Sequence, residues 1–112
     1  MKESIIITYH KNKDMLLYCL DRILKTTPNE VEILIIGNNI NKSELDIDIP
    51  NSRCKYLKYP QNLQYPKALN LAVKQCDSEI ITFVDSDIIV WDGWYEALHK
   101  TFANSDKIGA VG

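Results

Sequence analysis

The stretch from Ile81 to Trp94 reads ITFVDSDIIVWDGW, and its apolar run leads directly into two aspartates, Asp85 and Asp87. Carboxylates this close repel each other, and neither is favourable beside an apolar core. We therefore expect a cation or water to meet them where the strand ends. A DxD sequence alone also suits ordinary turn chemistry, because aspartates often end strands and cap the following helix.

Four segments have the composition of β-strands. They are SIIITYH from Ser4, VEILIIG from Val31, CKYLKY from Cys54 and EIITFV from Glu79. Three of them are apolar on both faces, which indicates a parallel sheet covered on both sides. The Cys54 segment alternates apolar and basic residues and suits a sheet edge with one wet face.

Helical periodicity predicts a helix in three of the intervals. One helix is predicted over Asn12–Lys25 with Asn12 as its N-cap, and one over Tyr65–Cys76 with Pro66 in its first turn. A third is predicted over Gly93–Phe102, entered through Asp92. The polar segment 38–52 is predicted to be a long loop with at most a short turn of helix.

This order of elements predicts an α/β fold: a Rossmann-like three-layer sandwich around a mainly parallel sheet. Right-handed crossovers restrict the strand order, and we place the strands 3-2-1-4. In such a sheet the winding direction reverses between the first and fourth strands. Ligands bind at that point, beyond the carboxyl ends of the strands.

Polar residues follow three of the predicted strands and should therefore share one rim of the sheet. They are Thr8-Tyr9-His10, Gly37-Asn38-Asn39 and Asp85-Ser86-Asp87. Mg²⁺ and Mn²⁺ prefer oxygen ligands and commonly share their shell with phosphate. The asparagine amides could read the edge of a heterocycle, and Gly37 could let a ligand approach the backbone closely.

Length and composition restrict the class of protein. The chain has 112 residues, 46% of them hydrophobic and 25% charged, which fits one globular domain. A net charge of −2 argues against nucleic acid as a partner. No apolar run approaches the roughly 20 residues that span a bilayer, and the amino terminus lacks the pattern of a secretion signal.

The cysteines indicate a reducing compartment. Cys19, Cys54 and Cys76 form neither a disulfide framework nor a zinc-binding pattern. Cys19 and Cys76 fall in helical patterns, where a small buried apolar residue is expected. We therefore predict a reduced, cytoplasmic location.

Four short motifs together resemble the family-2 nucleotide-sugar glycosyltransferases of the GT-A fold, over essentially the whole chain. They are Ile7-Thr8-Tyr9-His10, Gly37-Asn38-Asn39, the segment NLQYPKALN at 62–70, and FVDSD followed by Gly93-Trp94. Each is weak alone, but their order and spacing are fairly specific.

The resemblance implies roles for these residues. Asp87, with Asp85, would hold Mn²⁺ or Mg²⁺ against the diphosphate of a UDP- or GDP-sugar, and Asp85 would reach the ribose or a metal-bound water. Thr8, Tyr9 and Asn38 would line the base and ribose site. Neighbouring Asn39 completes this nucleotide-binding set, and Lys67 could contact a phosphate.

The chain also departs from the family pattern. Ile7 replaces a proline, Gln64 replaces a glycine and Leu69 replaces a basic residue. The acidic pair expected after the second strand is Gly37-Asn38, although an asparagine oxygen can still accept the uracil N–H.

The resemblance further implies that residues 1–112 are a single nucleotide-sugar-binding domain without the acceptor-binding half. The general base would lie in that missing half. His10 and His99 are candidates by residue type only, and His99 is expected to be exposed. The catalytic residues therefore stay unknown.

Two other functions and one assembly remain open. A non-catalytic module could keep the fold and lack the chemistry, and a nucleotidyltransferase would need a Gly-rich phosphate loop that is missing after the first strand. An apolar edge beside the fourth strand would favour a homodimer.

Overall fold

A computed structural model describes residues 2–40 and 52–112. Its elements, in chain order, are β1 (Glu3–Tyr9), α1 (Lys13–Thr26), β2 (Glu32–Asn38), β3 (Cys54–Tyr59), α2 (Tyr65–Gln75), β4 (Ile80–Asp85) and α3 (Trp94–Ala103). Each predicted element is present, with ends that differ by at most one residue. Most of the predicted loop at 38–52 lies outside the described residues.

The four strands form one parallel sheet in the order β3-β2-β1-β4, as predicted. β1 pairs with β2 on one side and with β4 on the other. The carboxyl ends of β1, β2 and β4 therefore meet at one edge of the sheet. The winding direction reverses between β1 and β4, which is where α/β sheets bind ligands.

Two apolar cores cover the two faces of the sheet and make the three layers. On one face Ile5, Ile7 and Ile35 pack with α1, and Trp94 and Tyr95 of α3 lie against the same core. On the other face Ile6, Leu34 and Ile36 pack with Ala68 and Ala72 of α2. Strands covered on both faces need apolar side chains at every position, which explains the continuous apolar runs.

The helix starts agree with the sequence in two cases and differ in one. Asn12 caps α1 by accepting a hydrogen bond from the Met15 backbone N–H at 3.2 Å, and Pro66 lies in the first turn of α2. The predicted entry of α3 through Asp92 is wrong. Gly93, with φ of 88°, is the N-cap, and the Asp92 carboxylate instead pairs with Arg22 on α1.

The two outer strands differ in character. β3 is an edge strand, as predicted, and presents Lys55 and Lys58 to solvent. The expectation of a single wet face is wrong, because two lysines three residues apart lie on opposite faces of a strand. β4 forms the other edge and borders an apolar groove of about 710 Å³ between the sheet edge, α3 and residues 109–112. Phe83 lines this groove and is 51% exposed. In the described part of the chain, no helix is long and apolar enough to cross a membrane.

Candidate functional site

A cleft of about 500 Å³ opens at the carboxyl ends of β1, β2 and β4. It includes the predicted site residues Thr8, Tyr9, Asn38, Asp85 and Asp87. The remaining wall consists of His10, Lys11, Asn12, Met15, Ile36, Tyr65, Ala68 and Ser86. The structure thus brings residues from four separate stretches of the chain to one site.

Strand alternation explains which side chains face this cleft. Side chains two residues apart lie on the same face of a strand, so Asn38 shares the face of Ile36, which packs against α2. Thr8 shares the face of Ile6, which packs against α2 as well. Thr8 is also the register partner of Asp85 on β4. The cleft therefore lies on the α2 side of the sheet.

Asp85 is oriented by two hydroxyl groups. The Thr8 hydroxyl donates to Asp85 Oδ1 at 2.7 Å, and the Tyr65 hydroxyl donates to the same oxygen at 3.3 Å. Partial burial, together with the negative charge of Asp85, raises the pKa of Tyr65, so the phenol remains a donor at neutral pH. The second oxygen, Oδ2, has no hydrogen-bond partner among the described residues.

Asp87 has more freedom than Asp85. It lies within a turn that is closed by a hydrogen bond from the Ile88 N–H to the Asp85 carbonyl at 3.0 Å, and its side chain is exposed. Within residues 2–40 and 52–112 the Asp87 carboxylate has neither a hydrogen-bond nor an ion-pair partner. Behind the site, burial and then the charge of Asp87 raise the pKa of Cys19 to about 11, so this thiol stays protonated.

These carboxylates suit a cation that is only partly held by protein. No group of three or more acidic, histidine or cysteine side chains that could hold a metal occurs in the described part of the chain. Asp87 and the open oxygen of Asp85 supply hard anionic ligands of the kind that Mg²⁺ prefers. The remaining ligands would have to come from water or a bound phosphate, as is common for that ion.

Asn38 is held by hydrogen bonds at its side chain and its main chain. The Leu63 backbone N–H donates to Asn38 Oδ1 at 2.8 Å, and His10 Nδ1 lies 3.0 Å from the Asn38 carbonyl oxygen. Because a carbonyl oxygen only accepts, Nδ1 must carry the proton of His10. The other ring nitrogen of a neutral His10 is then an acceptor.

Two residues at this rim have roles that differ from the sequence expectation. The ring of Tyr9 is buried in the α1-side core and packs edge-on against Tyr56, with 6.5 Å between ring centroids. Gly37 gives no ligand access, because a Cβ there would lie 2.8 Å from Ile40 and 2.9 Å from Tyr56. The absent side chain of Gly37 permits close core packing instead.

Not every predicted residue lies in the cleft wall, and the wall contains polar residues that the sequence did not single out, among them Lys11 and Tyr65. Asn39 and Lys67 are exposed and do not line the described cleft. The helical pattern assigns Tyr65 only to the apolar face of α2. Its place before a first-turn proline, at the rim end of that helix, is the signal that could have found it.

The two histidines lie at opposite ends of the sheet. His10 lines the cleft, whereas His99 is close to the start of β1, where Nε2 is 3.0 Å from Glu3 Oε2. The expectation that His99 is exposed is wrong, because its ring is half-buried and packs 4.2 Å from the Tyr95 ring. His99 is therefore remote from the chemistry of the cleft.

Gln64 has an unusual backbone conformation at the start of α2. Its φ is 63° and its ψ is 150°, a region that is populated almost only by glycine. The glycine expected at this position would adopt it without strain. Gln64 therefore holds a backbone conformation that favours the glycine of the family pattern.

Known proteins resemble this chain throughout its length. A family model described as glycosyl transferase family 2 matches residues 4–112. The glycosyltransferase GlyG of Streptococcus pneumoniae serotype 4 is 26% identical over 113 residues, 97% of this chain and 38% of GlyG. The O-antigen biosynthesis protein RfbC of Myxococcus xanthus is 29% identical over 116 residues, 99% of this chain and 9% of RfbC.

A solved structure shares the fold. The crystal structure of S. aureus TarS 1–349 in complex with UDP-GlcNAc superposes with a TM-score of 0.77 at 20% sequence identity, covering 100% of this chain and 37% of that one. This likeness agrees with the predicted GT-A type of sandwich. The chain spans less than two fifths of the length of each of these relatives, at 38%, 9% and 37%.

Proposed function

The chain belongs to glycosyl transferase family 2, and on that premise we propose that its cleft binds a nucleoside-diphosphate sugar for transfer of the sugar to an acceptor. One observation carries the proposal. Thr8, Asn38, Asp85 and Asp87 come from three strand ends and line a single cleft at the switch point of the sheet. Sites of this kind are where α/β sheets bind their ligands.

In this proposal, Asp85 and Asp87 hold Mn²⁺ or Mg²⁺ against the diphosphate. Asp87 is the direct ligand, because its carboxylate has no competing partner in the described structure. Asp85 Oδ1 is fixed by Thr8 and Tyr65, so that Oδ2 is left for the ribose or for a metal-bound water. A cation bound there would stabilise the negative charge that develops on the leaving diphosphate.

The nucleoside would lie along Thr8 and Asn38, with Tyr9 supporting the floor of the site from the core side. Lys11 brings a positive charge to the same wall and could balance part of the diphosphate charge. The contact of Lys67 with a phosphate stays a prediction, since that side chain is exposed in the first turn of α2. The same holds for Asn39.

We also propose that residues 1–112 act as one nucleotide-sugar-binding domain. Besides Asp85 and Asp87, no carboxylate lines the cleft within the described residues. A carboxylate that serves as general base for the acceptor hydroxyl would therefore have to come from outside the described residues. The TarS structure is described as a complex with UDP-GlcNAc, which supports UDP-sugars as the first donors to test.

Calorimetric titration with UDP, GDP and their sugars, with and without Mn²⁺ or Mg²⁺, tests the proposal. We expect binding that requires the cation and is lost in Asp87→Asn. Asp77→Asn is the matched control, because Asp77 is an exposed carboxylate close to Lys2, at the far end of the sheet. If the affinity is the same with and without the metal, and the same in Asp87→Asn as in the wild type, a non-catalytic module is favoured instead.

A further inference from the structure

Tyr65 connects the start of α2 to the acidic rim of the cleft. Its hydroxyl donates to Asp85 Oδ1 at 3.3 Å, and the Thr8 hydroxyl donates to the same oxygen at 2.7 Å. The two donors lie on different elements, because Thr8 is the register partner of Asp85 on β1 and Tyr65 is the first residue of α2. The carboxylate at the end of β4 is therefore held from two separate elements.

The backbone that leads into Tyr65 is fixed by specific hydrogen bonds. The Leu63 N–H donates to Asn38 Oδ1 at 2.8 Å, and the Gln64 N–H donates to Asn62 Oδ1 at 2.9 Å. Gln64, with φ of 63° and ψ of 150°, directly precedes Tyr65. A residue other than glycine keeps such a conformation only where surrounding contacts impose it, and such residues cluster at functional sites.

Core packing does not explain the position of the Tyr65 ring. The ring is 53% exposed, whereas the buried residues of α2 are Ala68 and Ala72. Tyr65 nevertheless lines the cleft, and its hydroxyl reaches a carboxylate there. The contact with Asp85, and not the core, therefore accounts for this side chain.

We infer that Tyr65 is a positioning residue that shares with Thr8 the task of orienting Asp85 for ligand binding, an inference that rests on the proposed nucleotide site. The last torsion angle of an aspartate is broad, so a free carboxylate turns easily. Anchoring Oδ1 restricts this turn and keeps Oδ2 in one direction. Either hydroxyl alone still anchors Oδ1, whereas the loss of both leaves the carboxylate to be ordered when the ligand binds, which lowers affinity.

A double-mutant cycle tests this shared role. Thr8→Val and Tyr65→Phe each remove one hydroxyl with little change in shape, and calorimetry with UDP and Mn²⁺ measures the affinity of both variants, their combination and the wild type. We expect Tyr65→Phe to weaken binding by about threefold to tenfold. The double variant should lose more than the product of the two single losses, and binding too weak to measure in the double variant alone counts as such a loss.

The cycle separates positioning from a structural effect. If Tyr65→Phe only disturbed α2, its loss would be the same whether or not Thr8 keeps its hydroxyl, and the two losses would multiply. Tyr18→Phe, at an exposed position on α1, is the matched control and should keep the wild-type affinity.

The outcomes that contradict the inference are distinct from failure of the site itself. If the wild type does not bind UDP or any other nucleoside diphosphate, the proposed function fails, and this inference fails with it. The nucleotide site stands but the positioning role is wrong if Tyr65→Phe keeps the wild-type affinity, or if the double loss is equal to or smaller than the product. Loss of all measurable binding in Thr8→Val alone would also overturn the shared role, because Tyr65 is still present in that variant.

Discussion

The centre of the sheet, formed by β1 and β2, differs in its surroundings from the β4 flank, formed by β4 and the neighbouring helix α3. The strands of the two regions are similarly apolar. In β1 and β2 the isoleucines are covered on both faces by helices, and Ile6, Ile7, Ile33 and Ile35 have no exposed surface. In β4, which is similarly apolar, only Val84 is buried. Phe83 is 51% exposed, and the nearby Trp91 is 82% exposed.

The attachment of α3 to the sheet also differs from that of α1. No residue of α3, all of which the structure describes, is fully buried. Trp94 and Tyr95 pack against the core with partly buried rings, and each also makes a polar contact. Trp94 Nε1 donates to the Thr26 hydroxyl at 2.7 Å, and the Tyr95 hydroxyl donates to Glu3 at 2.9 Å. An apolar strand therefore becomes a core strand only where other elements cover it.

Truncating one apolar side chain in each region gives the largest expected contrast. Ile7→Ala leaves a cavity in the α1-side core and should lower the free energy of unfolding by about 2–5 kcal/mol. Phe83→Ala removes a half-exposed ring and should change it by less than about 1 kcal/mol. Urea denaturation of both variants measures the difference. Equal losses would mean that the β4 flank is packed as tightly as the centre.

Adding a methyl group at a glycine tests the same contrast by increasing the side-chain volume instead of reducing it. Gly37→Ala forces a Cβ against Ile40 and Tyr56 and should cost about 1–3 kcal/mol. Gly109→Ala, beside the β4 groove, meets no atom within 4 Å and should be neutral. Thermal unfolding of the two variants measures the effect. An unchanged melting temperature in Gly37→Ala would show that the core around Gly37 adjusts to the added methyl group at little cost.

Alkaline pH should loosen the flank before the centre. Burial, then the hydrogen bond to Glu3 and nearby carboxylates, raises the pKa of Tyr95 from 10.0 to about 12. The folded state therefore keeps this proton above pH 10, where the unfolded state loses it, and stability should fall as pH rises toward 12. Tryptophan fluorescence follows the docking of Trp94.

Tyr95→Phe removes the titrating hydroxyl and should abolish the part of the stability loss at alkaline pH that this hydroxyl causes. Tyr18→Phe, an exposed position on α1, is the control and should leave it in place. An unchanged alkaline transition in Tyr95→Phe would assign the effect to another group, and Cys19, with its own raised pKa, is the next candidate.

Self-association is the smallest expected effect on the folded chain itself. The apolar β4 groove suits pairing with a second copy, and the homodimer stays a prediction. Phe83→Lys should then give a monomer by light scattering at high protein concentration, whereas Tyr18→Lys on α1 should not. A wild type that is monomeric at high concentration would remove the prediction.

Much of the fold could be predicted from local patterns. Apolar runs and helical periodicity located every described element within one residue, and Asn12 and Pro66 marked two helix starts correctly. The crossover rule then gave the strand order. The prediction that α3 is entered through Asp92 was wrong because an aspartate before a helix resembles an N-cap. The Asp92 carboxylate instead accepts a hydrogen bond from Arg22, 70 residues away.

The candidate site was less predictable than the fold. Thr8, Tyr9, Asn38, Asp85 and Asp87 were expected at one rim, and all line the cleft. Their contacts could not be predicted, because hydrogen bonds such as Tyr65 to Asp85 join residues on different elements.

The sequence by itself determined the elements, their order and the rim where polar residues collect, because period and composition act along a few neighbouring residues. Only the tertiary structure decided that the Tyr9 ring lies in the core, that Gly37 serves packing, and that the Asn38 amide oxygen accepts a hydrogen bond from Leu63. Those outcomes depend on close approaches between distant segments, where tenths of an ångström and a single N–H fix the result.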